Sequence, residues 1–359
     1  MISLLHYLRA LGVLRVVAMQ KDPEARLWFE GDTPRFLATA PGINIHGERV
    51  RQIANWRDIE VFFCQEYKPT PILSPWNGGS GFYPGDTAAR ARLAVVKQGG
   101  SRRFEEFRRM IAWCEGATKD LSKAQDGEGK ARLIRRCHNE WTGPALDWVT
   151  AATEVADDGS IQFPALLGSG GNEGRFDIST NFLKWLLELF DPSAATEHEQ
   201  ILHASGNEPV EFVPGAGVRP QAAAWLRHAF GLEAIAHSLP RGSFSFLQAA
   251  NEGEETPRNP WDFVLAMEGA CALGAGAHRR LEHHWGPAGA LTAENIPAGY
   301  STAVEGEKTR GEVWLPLWES PATFAEVRGF LRNGMPRILG RAPTGADDMA
   351  LAIALGGLS

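Results

Sequence analysis

Two glycine-rich strings hold most of the residues whose types and spacing could do chemistry. The first is Pro75-Trp76-Asn77-Gly78-Gly79-Ser80-Gly81-Phe82-Tyr83, with Lys68 just upstream. Glycines at this density permit positive φ and close approach of backbone to a ligand, and successive amides in such a loop form a nest for an anion. Trp76, Phe82 and Tyr83 offer ring faces on which bases stack, and Asn77 and Ser80 carry polar atoms for base edges or phosphates. The same spacing also fits a tight turn whose aromatics pack inward.

The second string is Leu167-Gly168-Ser169-Gly170-Gly171-Asn172-Glu173-Gly174-Arg175. It is neither a dinucleotide fingerprint, because Glu173 stands where a third glycine is needed, nor a P-loop, because no G-K-[ST] follows. It does contain a G-x-x-G, Gly171 to Gly174, which clamps backbone phosphates in some RNA binders. Asp177, Ser179 and Asn181 follow at alternate positions, and Asp177 or Ser179 suits the N-cap of a following helix. Gly171, Asn172, Arg175 and Asn181 are therefore candidate nucleic-acid contacts.

Charge adds a third candidate. Residues 86–136 hold 13 Lys/Arg against 7 Asp/Glu, a local balance of +6 in a chain of net charge −7. An acidic chain with one basic segment still binds phosphate locally, and Arg102, Arg103, Arg108 and Arg109 are the expected contacts. The alternative is a set of solvated helix faces. The 12 tryptophans suit stacking or interface anchoring as well as core.

Other chemistries find no support in the spacing. Cys64, Cys114, Cys137 and Cys271 form no C-x-x-C pair and no zinc-site pattern. His278, His283 and His284 lack helical metal spacing and read as a basic helix end with Arg279 and Arg280. Ser80 lacks the flanking glycine of a nucleophile elbow, since Phe82 occupies that place, and Glu105, Glu106, Asp157 and Asp158 form no assignable acid/base pair. We expect no catalysis, metal or cofactor. A serine hydrolase built on Ser80 or Ser169 is the weaker rival reading.

The elements that must position these residues are α+β: predominantly helical, with small antiparallel sheets and glycine-rich loops. An amphipathic helix is expected over 2–19, a hairpin over 26–30 and 34–39, and a helix over 47–66. The prolines at 69, 71 and 75 force 68–75 to be extended. Helices fill most of 86–156, and another runs from the second glycine string to about 190. Residues 191–222 carry five acids up to position 212 with no Lys or Arg and read as a linker or mobile loop. It would divide an N-terminal domain, 1–190, from a helical domain, 223–359. The latter is expected to hold a long helix over 260–283, a strand over 311–318, and helices near 321–333 and 344–355. No apolar run is long enough to span a membrane, and no secretion signal is visible, so a reduced, cytoplasmic setting is expected.

Taken in order, several strings resemble the CRISPR-associated Csx-seventeen family, the large, Cas-eight-like subunit of type I-G (formerly I-U) effector complexes. They begin with Leu4-x-x-Tyr7-Leu8-x-Ala10-Leu11-Gly12-Val13-Leu14-Arg15 and Tyr67-Lys68-Pro69-Thr70-Pro71-Ile72. The tryptophan–glycine string 75–83 and the run from Leu166 to Asp177, continuing to Asn181-Phe182, are the most specific. Asn259-Pro260-Trp261-Asp262-Phe263, Ala298-Gly299-Tyr300 and Gly311-Glu312-Val313-Trp314-Leu315-Pro316-Leu317-Trp318 complete the series. The family pattern is longer than this chain, so the resemblance is to be expected of an N-terminal portion, a split gene or a shortened relative. The resemblance implies a non-catalytic subunit that binds guide RNA and double-stranded target DNA. It would recognise the protospacer-adjacent motif, aid duplex opening and help recruit a helicase–nuclease for antiviral defence. Its partners would be the other subunits of the complex, including backbone and guide-processing ones. A partner-binding module of the same complex without nucleic-acid contact is the other rival.

Overall fold

Leu8, Leu11, Leu14 and Val17 would give the first helix one apolar face, but its intervening positions are also apolar or small. In the computed structural model this helix, α1 (Leu4–Gln20), is buried on nearly every side from Tyr7 to Ala18. A helix that is apolar all round belongs in the middle of a fold, so the amphipathic expectation gives way to a central helix. The structure describes residues 2–38, 53, 55–156, 158–163, 165–167, 170–173, 176–194, 217–234, 238–244, 247, 256–273, 276–279, 285–288 and 316–332.

The fold is predominantly helical α+β, with antiparallel sheets of two or three strands. After α1 come the strands β1 (Arg26–Glu30) and β2 (Thr33–Leu37), turning at Gly31 with φ +59°. The positive φ favours glycine in this two-residue hairpin turn. The helix α2 (Trp56–Val61) follows, running into a π-helical turn at Phe62–Glu66. Asn55 caps α2 from an extended backbone, so the helix expected from 47 begins only at Trp56 among the described residues. The proline-rich stretch after Tyr67 is non-helical, as its prolines require, and is largely buried.

The basic segment forms α3 (Thr87–Gln98), α4 (Glu105–Thr118) and α5 (Gly127–Glu140), followed by α6 (Gly143–Ala152). Two short hairpins come next, β3 (Glu154–Val155) with β4 (Ile161–Gln162) and β5 (Asn172–Glu173) with β6 (Phe176–Asp177). The later helices are α7 (Ile178–Leu189), α8 (Ala222–Ala229) and α9 (Pro260–Ala270). The long helix expected over 260–283 ends at Ala270. The chain turns there into β7 (Gly276–Arg279), which pairs with β8 (Trp285–Ala288), so His278 lies on a strand. Finally β9 (Ala322–Thr323) joins β1 to complete a sheet of order β2-β1-β9 and leads into α10 (Phe324–Arg332).

Residues on both sides of 191–222 share one apolar core, which runs from Tyr7 through Trp148, Trp185 and Trp261 to Leu331. The expected division into two domains is therefore not a division of cores: α9 packs its buried length on α1 and α7. Of the expected strand over 311–318, residues 316–318 are described and are non-regular. Trp318 nonetheless anchors there, donating from Nε1 to Leu27 O at 2.6 Å and meeting Phe29 edge-on. Val313, His283, His284 and the helix expected near 344–355 lie outside the described residues.

At the centre of this core lies an ionic knot. Arg15, 1% exposed, donates to Glu268 at 2.5 Å, Thr70 at 2.9 Å and Asp147 at 3.0 Å. Asp147 also accepts from Arg328 of α10 at 2.6 Å. One guanidinium fork thus joins α1, α6, α9 and the extended segment, and the shared Asp147 links α10 to them. Buried charge of this kind is tolerated only when it is paired and hydrogen-bonded.

Candidate nucleic-acid interface

The two glycine strings, nearly a hundred positions apart in sequence, close on each other. Trp76 Nε1 donates to Gly170 O at 2.7 Å, and Asn77 Nδ2 donates to the same carbonyl at 2.8 Å and to Asp177 at 3.1 Å. Thr180 Oγ1 donates to Gly79 O at 2.8 Å. Asp177 is the N-cap of α7, accepting from Thr180 N at 3.0 Å and from Ser179 Oγ, so the cap expected from sequence is in place. Its carboxyl is raised by burial, with the Ser179, Thr180 and Asn77 hydrogen bonds acting the other way.

This stitching corrects several expected roles. Trp76 and Tyr83 are core side chains, 1% and 3% exposed, and Tyr83 donates its hydroxyl to Pro75 O at 2.6 Å. Their faces are spent on packing and offer nothing to a base, and Phe82 is half-buried against the same core. Asn77 and Ser80 are buried as well, Ser80 donating to Asn77 O at 2.6 Å, so neither reaches outward. Gly81, at φ +89°, is needed for packing: a Cβ there would lie 2.8 Å from Leu93 and 2.9 Å from the Ala89 backbone. Only Gly78 and Gly79 of this string are exposed.

Gly171 is not an open phosphate clamp. It is buried at φ +79°, its N–H donates to Leu167 O, and a Cβ would meet Trp148 at 2.9 Å. Asn172 contributes its backbone to β5, and Arg175 lies outside the described residues. Lys68 is exposed beside the end of α1, where its backbone pairs with Gln20.

The four arginines expected to hold phosphate have separate fates. Arg103 is buried, donating to the carbonyls of Phe63, Cys64 and Tyr67 at the end of the π-helical turn, with its guanidinium 3.9 Å from the Phe190 ring centroid. It satisfies orphan helix carbonyls, and burial pushes its pKa down to about 10. Arg108 donates to Ser101 O at 2.8 Å, Arg109 is paired with Glu106, and Arg102 is exposed. Elsewhere in the segment Lys97 pairs with Glu115, Arg135 with Glu128 and Arg136 with Glu140. Four of the segment's cations are therefore held by carboxylates, of which Glu140 alone lies outside the segment and reduces its +6 balance.

Two of the expected contacts, Gly79 and Asn181, line a cavity of about 550 Å3 between the first turns of α3 and α7 and residues 241–243. Gly79, Asp177, Thr180 and Asn181 form one wall, and Arg92, Lys184 and Arg241 supply cations from three separate segments. Asn181 is the one polar side chain expected from sequence that both lines this space and holds it together, donating to Ser243 O at 3.0 Å. No family model matches this chain, and no curated protein does.

Arg92, Lys184 and Arg241 were not singled out by sequence. Lys184 carried a usable signal, because 177, 180, 181 and 184 fall on one helical face. Arg92 was counted in the basic segment without any sign of where it points, and Arg241 carried no signal. Among the described residues no group of three or more His, Cys, Asp or Glu could hold a metal ion, and no helix is long and apolar enough to cross a membrane. The four cysteines are buried and form no disulfide, and burial pushes the Cys64 thiol up to about 12.

The junction of the strings gives a stability prediction. Asn77→Ala removes two donated hydrogen bonds from buried acceptors and the oxygen that accepts from Lys130 at 3.3 Å. It should cost about 2 kcal/mol, read as a lower urea midpoint. An unchanged midpoint would return Asn77 to a solvent-facing role.

Proposed function

We propose that this chain is the non-catalytic large subunit of a type I-G CRISPR surveillance complex, cytoplasmic, and that it contacts guide RNA or target DNA through phosphate. One observation carries the nucleic-acid part: the cavity where Gly79 and Asn181 meet Arg92, Lys184 and Arg241. Cations drawn from three segments to one concave surface give a local positive field in an acidic chain, which is how such a protein holds phosphate without a basic surface overall. The assignment to the complex rests on the ordered strings described above. Its physical logic is that base pairing reads the target while protein reads a short motif and the backbone.

The full chain, alone and assembled with guide RNA and the other subunits, should bind labelled duplex and single-stranded DNA. Its log affinity should fall linearly with log salt, by about 0.9 per phosphate contact on duplex. Assembly without any salt-dependent nucleic-acid affinity of its own would leave a partner-binding module instead. Failure both to assemble and to bind would remove the reading.

A further inference from the structure

We propose that the cavity between α3, α7 and residues 241–243 is a site for one phosphate group carried on a nucleic-acid strand. This rests on the nucleic-acid reading above and assigns it a place. Arg92 lines the cavity half-buried, and burial alone lowers its pKa, with no carboxylate acting against it. A desolvated guanidinium without a counter-charge is relieved by an incoming anion. Its planar fork suits phosphate oxygens.

The first turn of α3 points the same way. Asp86 stands at the cap position but makes no side-chain cap bond; its carboxylate accepts from Gly81 N at 3.3 Å instead. Thr87, Ala88 and Ala89, which open the helix, line the cavity. The Thr87 amide donates to Gly85 O at 3.2 Å; the amides of Ala88 and Ala89 and the positive end of the helix dipole favour an anion there.

Two carboxylates, Asp86 and Asp177, also line the space. Asp177 is turned to its own partners: one oxygen accepts from Ser179 and Thr180, the other from Asn77. Three cations therefore face two engaged carboxylates. Gly242 lets the backbone lie close to both Lys184 and the Trp185 ring, since a Cβ there would stand 2.6 Å from Lys184 Nζ and 2.9 Å from Trp185. About 550 Å3 admits a phosphate with its attached sugar rather than a bare ion alone.

The test uses the full-length protein with a single-stranded oligonucleotide, bearing either a 5′-phosphate or a 5′-hydroxyl, and with inorganic phosphate. Arg92→Gln should weaken oligonucleotide binding by about tenfold at low salt and abolish the rise in melting temperature that inorganic phosphate gives the wild type. Lys184→Gln, which removes a second lining cation, should weaken binding in the same direction. Loss confined to the phosphorylated strand identifies a terminal phosphate, and equal loss on both strands a backbone phosphate. Wild-type affinity and phosphate response in Arg92→Gln and in Arg92→Gln/Lys184→Gln would overturn the site, while strand binding by those variants keeps the functional reading. A phosphate response lost in Arg92→Gln, without any strand binding, would keep an anion site and overturn its occupant.

Discussion

Glu268→Ala should lower the stability of the protein by about 3–5 kcal/mol, the range for removing one partner of a buried ion pair. Glu268 is fully buried, and four donors converge on it: Arg15 at 2.5 Å, Tyr67 Oη at 2.6 Å, and Thr70 through Oγ1 at 2.7 Å and N at 2.9 Å. Burial, and then the Glu268 carboxylate, hold the Tyr67 phenol well above its ordinary value, so it stays a donor. Truncation leaves a buried guanidinium with less than its full compensation, and strands two hydroxyls and an amide where water is excluded. Arg15→Met alone should be severe for the mirror-image reason, because Glu268 then lacks its cation. The double variant Arg15→Met/Glu268→Leu should recover part of the loss, since an apolar replacement of the pair avoids the unpaired charge. Urea denaturation of the four proteins measures this. A Glu268→Ala midpoint close to wild type would mean that the knot is solvated and contributes little.

The knot also marks the limit of what the sequence conveys. Arg15, Thr70, Asp147 and Glu268 come from four separate segments, and no local spacing relates them. Only the packing of α6 and the extended segment onto the α1–α9 pair brings them together. Helices, the first hairpin, the extended proline segment and the Asp177 cap were legible because each depends on neighbours in sequence: periodicity, proline geometry, a cap three residues before its amide. The inward turn of Trp76 and Tyr83 was one of two readings that the spacing allowed. The partner that decides it for Trp76, the Gly170 carbonyl, lies in the other string. The polar side chains of the two strings bind each other, and the cations that line the cavity come from α3, α7 and residue 241. Arg103 shows the same limit from the charge side: counted with a basic run, it is spent on helix carbonyls that composition cannot reveal.

The largest loss should come where α1 and α9 cross. A Cβ on Gly12 would lie 1.8 Å from Leu265 O, and one on Gly269 would lie 1.8 Å from Leu8 O. Both contacts are with backbone, so no rotamer change relieves them, and the helices would have to part by more than about 1 Å to restore ordinary contact. That separation opens the core on both sides of the crossing and pulls Glu268 away from Arg15, adding the loss of the knot to the loss of packing. Gly12→Ala and Gly269→Ala should each cost more than the roughly 1–3 kcal/mol usual for overpacking. The two substitutions should not add. Whichever comes first forces the helices apart, and the second Cβ then enters space already opened, so the double variant should be little worse than the worse single one. Circular dichroism with urea titration of the two singles and the double gives the coupling energy directly. Singles within about 1 kcal/mol of wild type, or a double equal to their sum, would show that the helices do not meet at these glycines.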